Sequence, residues 1–350
     1  MSRCLVDLLT KKRMKVTVLM PTYNVEPYVR EAVESVMAQT FTDFQLLVID
    51  DCSTDETVEV VRTIDDPRIH IVQNEKNVGL AENLNRGLAL IDTELVARMD
   101  GDDIAEPYWL EHEVAILDNH PEIGICSGGF ERFGTSTSLV RFPEHHTDIM
   151  ANMLFECSVI VPTFRMSLYR DHGLRYRTDA FPAEDYRFWA ECLRITKIYN
   201  LQETLFHYRM HPTQICTARR EEQQRKVAEV RRYMLEWLSP DFSEEEKNYY
   251  TGQFMTPQIA SRQDYLDRQD FCGKLVAKNR SVGHFNEPAL RKGLDKRLTL
   301  TLYSTIVERY FNGGYSIPKH LHYLTSGLAL RTGWHYESRF LLKSLLGRKA

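Results

Sequence analysis

No stretch of this chain approaches the ~20 consecutive apolar residues that a bilayer-spanning helix needs, so a soluble or peripherally attached protein is expected. No Cys-x-x-Cys pair occurs. The seven cysteines (Cys4, Cys52, Cys126, Cys157, Cys192, Cys216 and Cys272) are scattered and odd in number. That argues against a zinc site or a disulfide framework and for reduced thiols in a cytosol. Met1–Lys15 places charges on both sides of a very short apolar stretch, so no secretory signal is expected. There is no internal repeat and no low-complexity tract. Thr17–Tyr28 contains no glycine, which excludes a Gly-rich phosphate loop at the first predicted strand. The basic residues are not interleaved with aromatics in a recognisable pattern, so no nucleic-acid partner is expected.

What is present is an ordinary globular composition, 43% hydrophobic over 350 residues. That length holds one large domain, or one domain plus an appendage. The net charge of −5 conceals an asymmetry: Ser261–Ala350 carries 16 Lys and Arg against 7 Asp and Glu (+9), whereas Met1–Ala260 carries 28 against 42 (−14). A basic tail on an acidic body fits either an anionic membrane leaflet or a solvated helical surface.

Buried strands are predicted at Lys15–Met20, Gln45–Asp50, Ile69–Gln73 and Leu95–Met99, where apolar runs are bounded by turn residues. Between them, Val25–Ala38 (Val29, Val33, Val36, Met37), Thr54–Ile64 and Leu80–Ile91 (Leu80, Leu84, Leu88) have helical spacing, the second behind an Asp/Ser cluster that could cap it. Such alternation implies right-handed crossovers and an α/β fold with a mainly parallel sheet flanked by helices. A helix at Tyr108–Asn119, a strand at Ile123–Phe133 and a helix at Glu184–Ile195 follow, while Thr135–Ser158 carries no clear pattern. From about Arg219 the chain reads as a mostly helical extension: Arg219–Trp237, Glu244–Gln253 and Pro288–Phe311. The apolar and basic Ser338–Arg348 suits either a membrane surface or packing on its own domain. The expected division is a tail at 1–14, a domain at 15–218 and a helical region at 219–350.

The acidic clusters fall at strand ends, where ligands of parallel sheets bind. Asp100-Gly101-Asp102-Asp103 follows the fourth strand. In an extended backbone Asp100 and Asp102 point the same way with Cα atoms ~7 Å apart, and Gly101 permits a tight turn or a close ligand. Crowded carboxylates are costly unless something positive sits among them. Hard oxygen donors suit Mg²⁺ or Mn²⁺, ions that commonly carry a phosphate. A solvated acidic turn is the plain alternative.

Four segments together resemble the family-2 glycosyltransferases of GT-A type, Rossmann-like fold, over about Lys15–Thr217. They are Val18–Asn24 (ending Pro21-Thr22-Tyr23-Asn24), Gln39-Thr40-Phe41 leading into Val48–Asp55, Met99–Asp103, and Ala183–Trp189. The resemblance implies transfer of a sugar from a UDP-sugar donor. Pro21, Thr22, Tyr23 and Asn24 would line the nucleotide pocket, and Asp51 would accept from the base ring N–H. Asp100, with Gly101 beside it, would contact the ribose or the metal shell, and Asp102 would hold Mn²⁺ or Mg²⁺ at the diphosphate. His211 resembles a histidine that some members place near the metal. Asp185 stands where the family has its base, and inversion at the anomeric carbon follows from attack opposite the leaving group. Glu184 would support the loop or an acceptor hydroxyl, Asp103 would orient its own loop, and Arg209 could neutralise phosphate. The acceptor would be a glycan or a lipid-linked saccharide, as in capsule, lipopolysaccharide or O-antigen assembly, at the inner face of a membrane. One departure stands out: many members carry an Arg in the helix after Asn77-Val78-Gly79, where this chain reads Ala81-Glu82-Asn83-Leu84-Asn85-Arg86.

Plain readings stand beside these. Glu184-Asp185 alone is an ordinary acidic helix start worth ~0.3–1 kcal/mol, and Trp109, Phe188 and Trp189 at helical spacing read as core. A D-x-D phosphatase would need its motif after the first strand, and a sugar-1-phosphate nucleotidyltransferase would open with a Gly-rich loop. A nucleotide-sugar- or glycan-binding module without turnover is the remaining alternative.

Overall fold

The computed structural model describes residues 14–211, 214, 219–326, 328–329 and 334–346, the last stretch without the side chains of 334 and 335. The expected N-terminal tail, apart from Met14, lies outside the described residues, as do Arg348 and Lys349. The five described cysteines are all free.

The first compact unit comprises the chain up to Ile149 together with Glu156–Val230. It opens with β1 (Val16–Thr22), α1 (Glu26–Met37), β2 (Phe44–Asp50), α2 (Thr57–Arg62), β3 (Ile69–Gln73), α3 (Leu80–Leu90) and β4 (Leu95–Arg98). Then come β5 (Ile104–Ala105), α4 (Trp109–Asn119), β6 (Ile123–Gly134), β7 (Ser138–Val140) and α5 (His146–Asn152), the last crossing into the second unit. β8 (Thr163–Arg165), α6 (Ser167–Arg170), α7 (Glu184–Cys192) and β9 (Lys197–Met210) complete the unit, with the start of α8 (Arg220–Leu238).

The described strands form one nine-stranded sheet in the order β3-β2-β1-β4-β8-β6-β9-β5, with β7 paired to β6. β1, β2, β3 and β4 run parallel, as does β6 with β9, while β8 is antiparallel to both β4 and β6. Every residue of β1 is buried, as expected for a central strand covered on both faces. α1 packs Val29, Ala32, Val33 and Val36 into the core, one stripe at helical spacing. Its first turn is completed from the next loop: Asp55 Oδ2 accepts from Glu26 N at 3.1 Å and Thr57 Oγ1 from Val25 N at 2.9 Å. α2 is shorter than its spacing suggests because Ser53-Thr54-Asp55 is engaged in these loop contacts. Trp109, Phe188 and Trp189 are core residues.

The second unit holds Met150–Phe155 and the chain from Arg231 onward. Its helices are the end of α8, α9 (Glu244–Thr251), α10 (Arg262–Val282), α11 (Glu287–Phe311), α12 (Ile317–Leu324) and α13 (Trp334–Leu345). Side-chain caps mark four starts: Ser243 with Glu246 in a capping box, then Ser261, Asn286 and Ser316. Aromatic packing dominates its core, where Phe311 and Phe340 each make ring contacts with Tyr315, with Tyr323 and with one another. Arg231 Nε donates to Phe155 O at 2.7 Å and Tyr250 Oη donates to Leu154 O, fastening the short Met150–Phe155 piece into this unit.

Candidate active site

β1 and β2 end in register, Thr22 opposite Asp50, and Leu19 of β1 pairs with Arg98 of β4. The loops after all three strands therefore leave from one edge of the sheet, the edge where parallel sheets bind ligands. Thr22 is buried and donates from Oγ1 to Asp50 Oδ1 at 3.1 Å. Asn24 adopts a left-handed φ of 53°, which asparagine tolerates, and its Oδ1 accepts from Thr54 N at 2.8 Å. Pro21 is buried on β1, and Tyr23 between them is exposed. Thus Thr22 and Asn24 hold the Asp50–Asp55 loop.

Asp51 is buried. Its Oδ1 accepts from Asn74 Nδ2 (3.0 Å) and Val78 N (2.9 Å), and its Oδ2 from Gly79 N (2.8 Å). Gly79, at φ 84°, supplies a backbone conformation that side chains disfavour, which lets the turn present both amides to one carboxylate. Three donors leave about one of the carboxylate's four acceptor positions. Arg86, in the second turn of α3, donates from Nη1 to Asn74 Oδ1 at 3.1 Å. Arg86 thereby joins the Asp51 cluster through Asn74, which also donates to Asp51.

Asp100–Asp103 is a turn between β4 and β5, not an extended segment. The turn replaces the expected alternation and draws in Asp103 as well: oxygens of Asp100, Asp102 and Asp103 lie within 4.8 Å of one another. Gly101 permits this closeness, since a Cβ there would stand 2.9 Å from Thr22 Cγ2. Arg209 buttresses the turn from β9, with Nε donating to Asp102 O (2.8 Å) and its backbone N to Asp103 Oδ1 (2.9 Å). Its Nη2 pairs with Glu31 Oε2 at 2.6 Å. His211 Nε2 lies 3.0 Å from Asp102 Oδ2, its ring against Tyr28.

The fourth strand contributes a residue that the sequence reading passed over. Arg98 has 7% of its side chain exposed and donates from Nη2 to Asp100 Oδ1 (2.8 Å) and from Nη1 to Asp185 Oδ2 (2.7 Å). One guanidinium therefore ties the acidic turn to the start of α7. A lone cation in an apolar run just before three aspartates was the available signal, because a buried arginine requires carboxylate partners. Asp185 Oδ1, Glu184 Oε2, Asp103 Oδ2 and Arg98 Nε are buried with no hydrogen-bond partner.

Burial pushes the Asp100 carboxyl up to about 6, against the pull of Arg98 and with the help of Asp102 and Asp185. Burial, then Asp102 and Asp100, push Asp103 well above the carboxylate range. Glu184 is pushed up to about 8 by burial and by Asp185. Such a site favours uptake of positive charge. Three clustered carboxylates, an unpartnered buried oxygen and an adjacent imidazole fit a hard divalent cation such as Mn²⁺ or Mg²⁺. A surface hollow of about 540 Å³ lined by Met14, Lys15, Thr93, Glu94 and Arg170 lies at the opposite ends of β1 and β4, away from these carboxylates.

Comparison with known proteins bears on the family and the fold. The family model described as glycosyl transferase family 2 matches residues 17–180. An uncharacterized glycosyltransferase of Haemophilus influenzae is 33% identical over 233 residues, covering 62% of this chain and 72% of that protein. Among solved structures, S. aureus TarS residues 1–349 in complex with UDP-GlcNAc superimposes with a TM-score of 0.58 at 21% identity, over 85% of this chain and 92% of that one. The mannosyltransferase PcManGT from Pyrobaculum calidifontis, in complex with GDP-Man and Mn²⁺, reaches 0.50 at 16% identity, over 96% of this chain and 87% of that one. At these identities the two structures establish the shared GT-A fold alone. No helix of the described residues is long and apolar enough to cross a membrane.

Proposed function

Since the chain belongs to glycosyl transferase family 2 and is a glycosyltransferase, we propose that it moves one sugar from a UDP-sugar to a hydroxyl of a glycan or lipid-linked saccharide, with inversion at the anomeric carbon. The observation that carries this reading is the Arg98 bridge, which holds Asp185 beside the Asp100–Asp103 turn. The reading takes residues 15–218 as the catalytic part and 219–350 as the part that meets acceptor, membrane or another subunit. The cell-surface role extends the same reading: a cytoplasmic enzyme acting at the inner face of a membrane, on a growing capsule, lipopolysaccharide or O-antigen chain.

In the chemical step the acceptor oxygen forms a bond to the anomeric carbon while the bond from that carbon to the diphosphate breaks, its electron pair leaving with UDP. The acceptor proton passes to Asp185. Arg98 fixes that carboxylate through Oδ2 and leaves the side chain 30% exposed, so that an acceptor hydroxyl can approach it. Asp102, Asp100 and His211, with Asp103 beside them, would hold the cation. A bound Mn²⁺ or Mg²⁺ stabilises negative charge developing on the diphosphate. Arg209 keeps the turn in place from below. Pro21, Tyr23 and Gly101 form the wall against which the nucleotide lies, with Thr22 and Asn24 shaping its loop. Asp51 turns its remaining acceptor position to the base. Glu184, poised to carry a proton at neutral pH, is placed to donate to an acceptor hydroxyl.

The test is UDP release across a donor panel, with and without Mn²⁺, for wild type, Asp185→Asn and Asp102→Ala. Asp185→Asn should lose on the order of 10²–10⁴-fold in turnover while still binding UDP. Asp102→Ala should lose cation-dependent donor binding. Undiminished transfer by Asp185→Asn removes it from the role of base, and UDP binding by wild type without any turnover points to a binding module.

A further inference from the structure

The second unit ends in two helices that pack on each other and leave apolar side chains in water. On α12, Ile317, Leu321 and Leu324 are 52, 58 and 44% exposed and recur at i, i+4 and i+7, one stripe of a helix. On α13, Leu341, Leu342 and Leu345 are 47, 58 and 61% exposed and again share a side. The opposite sides are core: Tyr323 and Phe340 are fully buried against Phe311 and Tyr315. Both stripes are therefore surplus to the packing of this unit, and contiguous exposed leucines mark interaction surfaces.

The charge on these helices selects the occupant. From Gly313 to Leu346 the chain contains a single carboxylate, Glu337. That carboxylate is turned inward, buried and accepting from Tyr323 Oη. The cations face other company: Arg339 is exposed, Lys319 Nζ donates only to backbone carbonyls of Asn312 and Gly314, and Lys343 Nζ stands over the Tyr315 ring at 4.8 Å. Among the described residues of these two helices no exposed side chain is a carboxylate, and the large exposed apolar ones are Ile317 and the leucines. A two-fold contact with a second copy would set this patch against itself, cation toward cation. An anionic lipid surface answers both halves of the pattern, with leucines in the acyl boundary and Lys and Arg at the headgroups.

We infer that the paired helices Ile317–Leu324 and Trp334–Leu345 form a docking face for an anionic lipid surface, seated by their exposed leucines and drawn in by the exposed Arg339 and the net positive charge that Lys319 and Lys343 add to it. The inference deepens the proposal of a membrane-side acceptor, and its test requires neither donor nor acceptor, so the two fail separately. The full chain is sedimented with vesicles of phosphatidylcholine alone and of phosphatidylcholine mixed with phosphatidylglycerol. The variants are Leu341→Glu/Leu345→Glu, Arg339→Glu and, as a control on the first unit, Leu90→Glu, which is 57% exposed. Thermal melts confirm that each is folded.

Wild type and Leu90→Glu should bind the phosphatidylglycerol vesicles, weakening as salt is raised. The double leucine variant should lose at least about tenfold in partitioning, consistent with ~0.8 kcal/mol for each buried CH₂ withdrawn. Arg339→Glu should lose about fivefold or more, the value of a basic residue near such a surface. Equal binding by wild type and the double leucine variant, or none by wild type, overturns the inference. So does a doubling of solution mass that Leu341→Glu/Leu345→Glu abolishes, which would make the face an interface between copies.

Discussion

Arg98 and Arg268 are both buried and both paired with aspartate, one in each compact unit. Arg268 donates to both oxygens of Asp264, to the carbonyls of Phe254, Thr256 and Gln258, and to Thr256 Oγ1. Every nitrogen of its guanidinium is engaged and the network closes on itself. Arg98 reaches two carboxylates, yet its Nε, Asp185 Oδ1 and Asp103 Oδ2 stay unpartnered although buried. Buried polar atoms are normally paired, and leaving one bare costs ~1–3 kcal/mol. A closed network serves the fold. An open one at a sheet edge holds capacity for ligands and for a proton.

Exchanging the two residues' fates would break this comparison, and the largest effect is expected at Arg98. Arg98→Lys keeps the charge and loses the fork that spans Asp100 and Asp185. Turnover should fall on the order of 10²–10⁴-fold, the share ordinarily carried by a positioned base. The KM for donor should move far less, which steady-state kinetics will show. An unchanged kcat would mean that Arg98 is as structural as Arg268.

Arg268→Ala is the converse. Removing one partner of a buried pair costs ~3–5 kcal/mol, so the midpoint of denaturant unfolding should drop sharply. Donor turnover by the protein that remains folded should be unaltered. A large loss of kcat at full folding would erase the distinction.

Gly101→Ala sharpens the comparison at the acidic turn. Its Cβ would sit 2.9 Å from Thr22 Cγ2, and overpacking of that kind costs ~1–3 kcal/mol. Titration with Mn²⁺ should show affinity reduced by about tenfold or more, with global stability changed less than in Arg268→Ala.

The smallest effect depends on pH and concerns Glu113, a third buried charge site with no cation in contact. Its Oε2 accepts from Trp109 Nε1 at 3.0 Å and Thr163 Oγ1 at 2.6 Å, and burial pushes it well above the carboxylate range despite them. The folded chain therefore keeps a proton that the unfolded chain releases near pH ~4.3. Its stabilising effect is full below that pH and declines as pH rises toward the folded value. Glu113→Gln should match wild type near pH 4 and exceed it at pH 8 in urea melts. Parallel stability curves for the two across that range would show that Glu113 is ionised in the fold.

Much of the first unit was legible along the chain. Buried parallel strands such as Val16–Thr22 and Phe44–Asp50 are written as largely apolar runs, and the spacing of Val29, Val33 and Val36 gives their crossover helix. The second unit was less so. α10 escaped notice because its buried side includes Asp264, Arg268 and Asn279, which interrupt any apolar stripe. Thr135–Ser158 hid a short strand and a short helix, β7 and α5, too brief for periodicity to register. The 14-residue β9 serves β6 along its length and β5 near its end, pairings that depend on partners far away in sequence.

At the site, the chain itself determined which acids stand at strand ends, because strand periodicity and turn residues are local properties. That Asp100, Asp102 and Asp103 share one point, that Arg98 joins Asp100 to Asp185, and that Arg86 reaches Asn74 beside Asp51 were decided by the tertiary structure. Distances between groups 87 residues apart follow from sheet register and helix placement, and the proton affinities of these carboxyls follow from burial. Neither burial nor long-range proximity is a property of any short stretch of sequence.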